Sequence, residues 1–418
     1  MRKVQEAYFK SLAFAAVMWL AIATGCQAVT LTPVPPPATA GMETCPTATT
    51  SPTVTHPPAV LPDSKDVPIV LVGTLIDGTG AEPLENAAIL IQDGVIAAVG
   101  AREEVEFPPG AYILELKDAT ILPGFINAHV HSTYEAVYLE TWVQAGVTTV
   151  RDLGARYPFF QFSTRDRLNE HPEYATLISA GPIITAPGGY PMAGNNFPCM
   201  VISNPNQARR EIARLIEMGA EVIKIALDSG DGLPVFSLAT ATAIVETAHQ
   251  YDVPVAAHIG TTSDLRLAVA AGVDDFSHVL PIPDDLIEQL VLNEVYWVPT
   301  LETSGGYDGG ALRRFVAAGG QVALGNDSGL LDGMEMGMPM REIGMMQTAG
   351  MTPMEIIVAA TRNAAHVCNR EDTLGTLEVG KIADILVVRG DPLSNLQALK
   401  NVLLVIHQGV IVNDATQK

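Results

Sequence analysis

Basic side chains are scarce in this sequence, and so are charged side chains in general. The 418 residues include 24 lysines and arginines against 46 aspartates and glutamates, so the formal net charge is -22 at pH 7. A nucleic-acid-binding protein needs a basic face, which this composition argues against. Apolar residues make up 48% of the chain, enough to bury a large core. We therefore expect a largely folded chain without a nucleic-acid partner.

Cysteine is scarcer still. The whole chain contains four: Cys26, Cys45, Cys199 and Cys368. Their spacing does not resemble a disulfide framework or a thiolate zinc site. A bridge between two of them stays open at this stage, but any metal centre has to come from other side chains.

The first 26 residues have the pattern of an export signal. Basic residues precede a short apolar stretch, residues 11–23, and small residues then lead to Cys26. The apolar stretch is too short for a comfortable membrane span. The end of the segment resembles a bacterial lipobox, which implies that Cys26 becomes the lipidated first residue of the mature protein. The alternative is an uncleaved N-terminal anchor, and both predict an exported, membrane-anchored protein located outside the cytoplasm.

After residue 26 the composition changes along the chain. Residues 27–66 are rich in proline and threonine and are expected to form a disordered tether. Residues 67–122 and residues 369–418 contain short β-rich runs separated by Asp-Gly and Gln-Gly turns. Because neither flank has a sheet partner of its own, we expect one sheet domain built from both.

Between these flanks, residues 123–368 alternate between strand-like and helical segments. One helix is expected from Asn206 to Gly219, where three apolar residues share a face after an asparagine cap. Eight β/α units in roughly 245 residues match a (β/α)8 TIM barrel in count and in length, so the predicted fold class is α/β. The eight predicted strands are the one that carries His129 and those that begin at Thr148, Thr176, Glu221, Pro254, Asp275, Tyr296 and Val322.

A His-Val-His sequence, from His129 to His131, ends the first predicted strand. Residues i and i+2 on a strand point to the same side, so both imidazoles can reach one ion. Catalytic groups of such a barrel lie at the carboxyl ends of its strands. Further candidates at or near those positions are Lys224, His258, His278 and Asp327. One such histidine alone is more often a core residue, and Asp327 alone could cap a turn, but the whole set predicts a metal-dependent hydrolase.

Lys224 is the most informative member of this set. It lies inside a run that is expected to be buried, where a bare ammonium is costly. If its pKa is lowered, the amine can react with carbon dioxide to form a carbamate, whose two oxygens can bridge two cations. This hypothesis predicts a binuclear site. The alternative is an ion pair between Lys224 and a carboxylate such as Asp228.

These residues lie in motifs that resemble those of the amidohydrolase superfamily, in particular its imidazolonepropionase-like and Xaa-Pro dipeptidase-like members. The resemblance covers about residues 67–418. The motifs are LPGFINAHVH at 122–131, VRDLG at 150–154, GAEVIKI at 219–225, ALGNDSG at 323–329, ATRNAA at 360–365 and LGTLEVGKIADILVV at 374–388. The sequence departs from the family pattern after the third and fourth predicted strands, at Tyr190 and at Asp228, and these departures bear on the substrate.

The resemblance implies a split β-sandwich beside the (β/α)8 barrel and two divalent ions, usually zinc. It implies that His129, His131 and Asp327 bind the more buried ion, that carboxylated Lys224 bridges the two ions, and that His258 and His278 bind the second. A metal-activated hydroxide then attacks the carbonyl, while Asp327 accepts a proton and returns it to the leaving nitrogen. Candidate substrate contacts are Tyr134, Arg151, Tyr190 and Tyr307.

The predicted function is hydrolysis of amide C–N bonds in small molecules such as dipeptides or N-acyl amino acids. A mononuclear hydrolase or deaminase acting on a cyclic C–N bond is an alternative, although the Ile-Gly sequence after His258 disfavours it. The same metal pair could support lactone or phosphotriester hydrolysis. A surface ligand-binding protein without turnover is the candidate from another functional class. The expected partners are a small-molecule substrate, a membrane through the lipid on Cys26, and further copies of the chain in a homo-oligomer.

Overall fold

The computed structural model describes residues 63–155, 161–195, 197–305, 310–329, 334 and 336–416. The predicted export signal with Cys26, the tether up to residue 62, and Tyr307 lie outside the described residues. Residues 63–66, which the sequence assigns to the end of the tether, belong to the fold. The Ser64 side chain is buried, and its backbone N–H donates to the carbonyl oxygen of Gly409 over 3.1 Å.

Strands dominate the first and last parts of the described chain and alternate with helices between them. In chain order the strands are β1 (Ile69–Leu75), β2 (Leu84–Gln92), β3 (Val95–Ala101), β4 (Tyr112–Pro123), β5 (Phe125–Val130), β6 (Val147–Asp152), β7 (Thr176–Ser179), β8 (Ile183–Thr185), β9 (Cys199–Val201), β10 (Ile223–Leu227), β11 (Val255–Ile259), β12 (Asp275–Ser277), β13 (Tyr296–Val298), β14 (Ile385–Arg389), β15 (Val402–His407) and β16 (Val410–Asp414). The α-helices are α1 (Ala136–Gln144), α2 (Gln161–Asn169), α3 (Met192–Asn195), α4 (Pro205–Glu217), α5 (Leu238–His249), α6 (Thr262–Ala271), α7 (Asp284–Leu292), α8 (Leu301–Ser304), α9 (Ala311–Ala317), α10 (Met340–Thr348), α11 (Pro353–Ala360) and α12 (Arg362–Val367).

The two flanks of the chain join in one seven-stranded sheet, with the strand order β16-β15-β14-β4-β1-β2-β3. The central strand β4 connects them, because it pairs in parallel with β1 and antiparallel with β14. Leu71 and Ile89 from the first flank share a hydrophobic core with Leu404 and Ile406 from the last. The flanks therefore bury each other's apolar faces.

Tight turns set the register of the outer hairpins in this sheet. Asp93 and Gly94 connect β2 to β3 with φ values of 53° and 83°. Gln408 and Gly409 connect β15 to β16 with φ values of 53° and 78°. Two successive left-handed residues are the signature of a type I′ turn, whose twist matches that of the strands on either side. The Asp-Gly and Gln-Gly pairs in the sequence thus mark two hairpins.

The middle of the chain forms two parallel sheets covered by helices, which confirms the α/β class. One sheet has the order β5-β6-β7 and the other has the order β13-β12-β11-β10-β8-β9. On β10, Ile223 and Ile225 pack in the same core as Ile212 and Leu215 of α4. Lys224 lies between the two isoleucines in sequence, so its side chain points to the opposite side of the sheet. On β10 the helix side is apolar, and the opposite side carries Lys224.

Helix α4 shows how the local sequence determines an element's start. Asn204 is its N-cap and accepts a hydrogen bond from the backbone N–H of Gln207 over 3.0 Å, while Pro205 occupies the first helical turn. Ile212 and Leu215 are buried on its inner face. The helix predicted from residue 206 to residue 219 is therefore present, with each boundary shifted by one or two residues.

The segment predicted as the eighth strand, which begins at Val322, is not a regular strand. It forms isolated parallel bridges between Val322 and Trp297 and between Ser328 and Val130. Its backbone still bonds to both neighbouring strands, since the N–H of residue 323 donates to Trp297 O (2.9 Å) and the N–H of Asp327 donates to the carbonyl oxygen of residue 129 (2.9 Å). The left-handed backbone of Asp327, with φ of 60°, interrupts the ladder. Strands β8 and β9 were not predicted as strands.

Two further findings concern the cysteines and the possible membrane-spanning helices among the described residues. The thiols of Cys199 and Cys368 are both free, so neither joins a disulfide. Within the described ranges, no helix has the length and apolarity that crossing a membrane would require.

Candidate metal centre

Three of the predicted ligands converge on one point at the carboxyl end of β5. The Nε2 atoms of His129 and His131 lie 3.2 Å apart. The Oδ1 atom of Asp327 lies 3.2 Å from the first of these nitrogens and 3.0 Å from the second. Among the described His, Cys, Asp and Glu side chains, these three form the group whose ligand atoms all lie within 4.8 Å of one another. This group forms because His129 and His131 are two residues apart on the strand and because the chain returns to the end of that strand at Asp327.

The group is electrostatically suited to a cation. Burial lowers the pKa of His129 well below its ordinary value. Burial also opposes protonation of His131, but the hydrogen bond and charge of Asp327 outweigh it and raise the pKa of His131. Although burial disfavours its charge, Asp327 is held well below its ordinary pKa by His129 and His131. An ionised carboxylate therefore faces two imidazole nitrogens.

The donor chemistry of this group fits a divalent metal. Two imidazole nitrogens and one carboxylate oxygen are ligands that zinc commonly takes. Nδ1 of His129 is buried and has no hydrogen-bond partner among the described residues. Without a cation, two nitrogen lone pairs and an anionic oxygen would crowd together, so the group needs either a shared proton or a metal ion. His129, His131 and Asp327 therefore fit a divalent ion.

A second layer of contacts orients His131. Its Nδ1 lies 2.7 Å from the carbonyl oxygen of Gly154. A carbonyl can only accept, so Nδ1 carries the hydrogen and Nε2 is directed toward Asp327. Asp152, which is fully buried, accepts hydrogen bonds from the backbone N–H groups of Gly154 (2.9 Å) and Thr133 (3.3 Å). Burial raises the pKa of Asp152 to about 6. Sequence reasoning missed Asp152, although it lies in the VRDLG motif.

Lys224 is buried, with 1% of its surface exposed. Its Nζ donates to Ser277 Oγ over 3.3 Å. The carboxylate of Asp228, the alternative ion-pair partner, instead lies 3.6 Å from His258 Nε2. Burial lowers the pKa of Lys224 to about 7, against the attraction of Asp275 and Asp327. A large share of this amine is therefore neutral near neutral pH, and the neutral form is the one that reacts with carbon dioxide.

His258 and His278 lie beside the group of three without completing it. Their ring centroids are 4.4 Å apart, and the His278 ring is 5.3 Å from that of His129. Nδ1 of His278 is 4.0 Å from Oδ2 of Asp327. Burial lowers the pKa of both rings, which keeps them neutral as metal ligands must be. The structure thus brings these two histidines to the same end of the parallel sheets as the group of three.

Left-handed backbone conformations occur where these side chains emerge. His278, Thr300 and Asp327 have φ values of 79°, 46° and 60°. Such conformations are uncommon for residues other than glycine and carry a cost, and they concentrate at functional sites. Each of these residues follows directly on, or lies close to, the end of a strand or strand-like segment. The strained backbone at His278 and Asp327 therefore directs both side chains toward the site.

Two of the predicted substrate contacts, Tyr190 and Tyr134, have different surroundings. The Tyr190 ring stacks on the His258 ring, with centroids 4.5 Å apart and planes 20° apart. Tyr134 is hydrogen-bonded through its hydroxyl to Ser179 Oγ. Tyr190 therefore contacts one of the predicted ligands, His258, whereas the Tyr134 hydroxyl is hydrogen-bonded to Ser179. The third tyrosine of the set, Tyr307, lies outside the described residues.

The expectation that Arg151 contacts a substrate needs correction. Arg151 is fully buried, and its two Nη atoms lie 2.8 and 2.9 Å from the carboxylate oxygens of Asp275. Its Nε donates to Ala128 O (2.7 Å), and Nη1 also donates to Val367 O (2.6 Å). A guanidinium so fully enclosed and paired acts within the fold. The sequence did not indicate that Asp275, which is distant along the chain, is the partner of Arg151.

Comparison with known proteins adds a family context to this geometry. A model of the amidohydrolase family matches residues 120–412. Ochratoxinase from Aspergillus niger is 24% identical in an alignment that covers 82% of this chain and 86% of that protein. Imidazolonepropionase from a Geobacillus species is 26% identical in an alignment that covers 73% of this chain and 84% of that protein. The solved structure of a Xaa-Pro dipeptidase with methionine bound in its active site matches with a TM-score of 0.72 at 25% identity, covering 82% of this chain and 99% of that one.

Proposed function

Because the chain belongs to the amidohydrolase family, as its motifs predicted, we propose that it is a metal-dependent hydrolase that cleaves amide bonds in small molecules. The observation that carries this proposal is the convergence of His129, His131 and Asp327, whose ligand atoms lie 3.0–3.2 Å apart. Dipeptides and N-acyl amino acids are the substrate class we favour. The names of the relatives, an ochratoxinase, an imidazolonepropionase and a Xaa-Pro dipeptidase, are consistent with a small substrate.

We propose that the two parallel sheets are parts of one (β/α)8 barrel, spanning about residues 123–368. The backbone hydrogen bonds of the 322–328 segment to Trp297 on one side and to His129 on the other support this proposal. The barrel would be flanked by a β-sandwich formed by residues 67–122 and 369–418, which is supported by the core that the two flanks share. In this arrangement the metal centre lies at the carboxyl ends of the strands, where such barrels carry out their chemistry.

We propose two divalent ions, with zinc as the favoured metal. His129, His131 and Asp327 would hold one ion, and His258 and His278 would hold the other. Lys224, carboxylated on Nζ, would lie between them. This role is supported by its lowered pKa of about 7 and by its hydrogen bond to an uncharged group, a serine hydroxyl. When bound, such ions polarise a carbonyl and lower the pKa of water toward neutrality.

The chain's own residues then transfer the proton and enclose the site. Asp327 is ionised at neutral pH because its pKa lies well below the ordinary value, so it can accept a proton from the attacking water. It can hold that proton on a carboxylate oxygen and donate it to the leaving nitrogen. The Gly154 carbonyl keeps His131 oriented during these steps. Tyr190, stacked on His258, covers one side of the site and helps to exclude water.

A single-ion enzyme that acts on a cyclic amide or removes an amine is the second candidate. One specific observation favours it: among the described residues, the tight group of ligand atoms contains His129, His131 and Asp327 but neither His258 nor His278. If one ion is enough, Lys224 would serve as a buried hydrogen-bond donor within the fold rather than as a bridge. The two candidates differ in the number of ions per chain, which can be counted.

The test is to count the metal ions bound to the purified chain by inductively coupled plasma mass spectrometry, with and without bicarbonate. About two ions per chain, together with chelator-sensitive hydrolysis of dipeptides or N-acyl amino acids, is the expected result. About one ion would favour the second candidate. A chain that binds no ion after metal loading, or that hydrolyses amides equally well in excess chelator, would contradict metal-dependent hydrolysis in either form.

We propose further that the protein is exported and anchored to a bacterial membrane through a lipid on Cys26, with residues 27–62 as a tether. The support is the signal-like sequence that ends at Cys26. In a bacterial host, Cys26→Ser should abolish labelling by a radioactive fatty acid, while Cys45→Ser should not change it. Equal labelling of the Cys26→Ser variant would refute the anchor. Assembly into a homo-oligomer stays a prediction.

A further inference from the structure

Two glutamates outside the proposed ligand set are buried close to the metal centre. The side chain of Glu302 is 0% exposed and Glu342 is also 0% exposed. Buried carboxylates are costly unless their oxygens are hydrogen-bonded or paired. The partners of these two glutamates connect them to the proposed ligands along two separate paths.

The first path runs from Glu342 on α10 to His278. Glu342 Oε1 accepts from the backbone N–H of Leu301 (2.8 Å), and Oε2 accepts from that of Glu302 (2.7 Å). These N–H groups directly follow Thr300, whose backbone is left-handed with φ of 46°. Thr300 Oγ1 is hydrogen-bonded to Nδ1 of His278 over 2.9 Å. Glu342 therefore holds the turn that presents the Thr300 hydroxyl to the His278 ring.

The second path runs from Glu302 to the group of three ligands. Glu302 Oε2 accepts from Asn326 Nδ2 (3.2 Å), and Asn326 Oδ1 accepts from Asn127 Nδ2 (2.8 Å). Asn127 Oδ1 in turn accepts from the backbone N–H of His129 (3.2 Å). Asn326 also directly precedes the third ligand, residue 327, in the chain. The remaining oxygen of Glu302 lies 2.8 Å from Arg341 Nη1, so its charge is paired.

We propose that Glu342 and Glu302 are positioning residues of the metal centre, with Glu342 setting the orientation of His278 and Glu302 setting that of His129 and Asp327. This inference rests on the proposed function, because it assumes that these side chains bind metal. Neither glutamate belongs to the proposed ligands. Both carboxylate oxygens of Glu342 accept from backbone N–H groups, so an amide, which has one acceptor oxygen, cannot replace it without loss of a bond.

The test of the first path uses the metal-free full chain titrated with cobalt(II), with binding followed by visible absorption. Glu342→Gln should weaken the ion on the His278 side by roughly 10- to 100-fold, as is typical when a partner of a ligand is removed. Thr300→Val should reproduce this loss, because it removes the hydroxyl and keeps the shape, and Thr300→Ser should restore binding. Glu355→Gln is the matched control, since Glu355 also accepts from a backbone N–H at a helix start.

A second readout does not depend on metal binding. In the metal-free protein, nitrogen-15 spectra of the histidine rings should show altered His278 signals in Glu342→Gln and Thr300→Val, with His131 signals unchanged. If Glu342→Gln does not fold in a thermal unfolding measurement, Thr300→Val decides the first path. Wild-type cobalt affinity together with wild-type His278 signals in these variants would overturn it. A wild-type chain that binds no cobalt would contradict the proposed function, and the ring spectra would still decide the positioning role.

The second path has its own variants. Glu302→Leu should weaken the ion held by His129, His131 and Asp327, whereas Glu302→Gln, which keeps an acceptor oxygen for the Asn326 amide, should retain most of that affinity. Thr300→Val should leave this ion unchanged, because the Thr300 hydroxyl contacts His278 and no residue of the second path, so the two paths are separable in one titration. Glu302→Leu that folds and binds the first ion as the wild type does would overturn the role of Glu302. If it fails to fold, the same comparison is made with Asn127→Leu.

Discussion

Three properties of Asp327 bear on its proposed role as a proton carrier. It is ionised, with a pKa held below the ordinary value by His129 and His131. Its Oδ1 contacts the Nε2 atoms of both rings. Its left-handed backbone, with φ of 60°, turns the side chain toward β5. A change that keeps its shape and removes its charge therefore tests its chemical role with little disturbance of packing.

We expect Asp327→Asn to keep the fold and lose turnover by roughly 100- to 10,000-fold, the range of a general acid–base group. The measurement is kcat on the best amide substrate, with metal content and thermal unfolding measured on the same sample. Asp285→Asn, at an exposed carboxylate paired with Arg266, is the control and should keep full activity. An Asp327→Asn enzyme with near wild-type kcat would exclude Asp327 as the proton carrier.

Lys224 predicts a pH dependence of stability in the metal-free, bicarbonate-free protein. Its folded pKa of about 7 lies below the ordinary value of 10.5 because of burial. Between these pH values the unfolded chain binds the proton and the folded chain does not, so the unfolding free energy should rise with pH. Each pKa unit corresponds to about 1.4 kcal/mol, which makes about 5 kcal/mol the upper bound.

We expect Lys224→Met to flatten that rise, and urea unfolding at several pH values between about 7 and 10.5 measures it. Lys400→Met, at an exposed position, should keep the wild-type slope. The same slope in Lys224→Met and in the wild type would mean that the amine keeps an ordinary pKa, and the case for its carboxylation at neutral pH would weaken.

At the scale of elements, the 322–329 segment has to pass very close to β5. Gly329 has φ of 106°, and a Cβ placed there would lie 1.8 Å from the carbonyl oxygen of His131. A Cβ at Gly325 would lie 2.9 Å from the backbone nitrogen of His129. Glycine at these two positions lets the segment approach the carboxyl end of β5 and place Asp327 beside both histidines.

Gly329→Ala should therefore lower the unfolding free energy by more than about 1 kcal/mol, through both the positive φ and the clash. It should also weaken metal binding, because the displaced segment carries Asp327. Gly344→Ala is the control: it lies within α10, where a Cβ would meet no atom within 4 Å, and should stabilise the helix by about 0.5–1 kcal/mol. Equal denaturation midpoints for Gly329→Ala and the wild type would show that the segment has room to move.

For the whole molecule, one buried ion pair connects the two parallel sheets. Arg151 belongs to β6 and Asp275 belongs to β12, and these strands lie in different sheets. Both side chains are 0% exposed. Removal of one partner leaves the charge of its counterpart buried without compensation, which typically costs about 3–5 kcal/mol. The pair therefore ties the parts of the proposed barrel together.

We expect Arg151→Met to lose about 3–5 kcal/mol of unfolding free energy, measured by urea denaturation. Arg266→Met, which breaks the exposed pair with Asp285 (2.7 Å), should cost less than about 1 kcal/mol. If Arg151→Met loses activity but no stability, the assignment of Arg151 to the fold would be wrong and a role at the substrate would return.

Features that depend on neighbours along the chain could be predicted from the sequence. The i, i+2 spacing placed His129 and His131 on one side of a strand, because strand side chains alternate. The cap and apolar face of α4 followed from its own residues. The α/β class and the family were also readable, since alternating segments and contiguous motifs carry them. The role of each predicted ligand stays a prediction.

Contacts between residues that are distant along the chain depend on the tertiary structure. Arg151 pairs with Asp275, Lys224 donates to Ser277, and Glu342 reaches the turn before α8. Each of these contacts is set by strand order and by the path of a loop, which a local pattern does not encode. The eighth strand was predicted as regular because its apolar run is typical of one, but a left-handed residue at its end interrupts it. The physical reason is common to all the contacts: burial removes water, so each polar group must satisfy its hydrogen bonds with whatever the fold brings near.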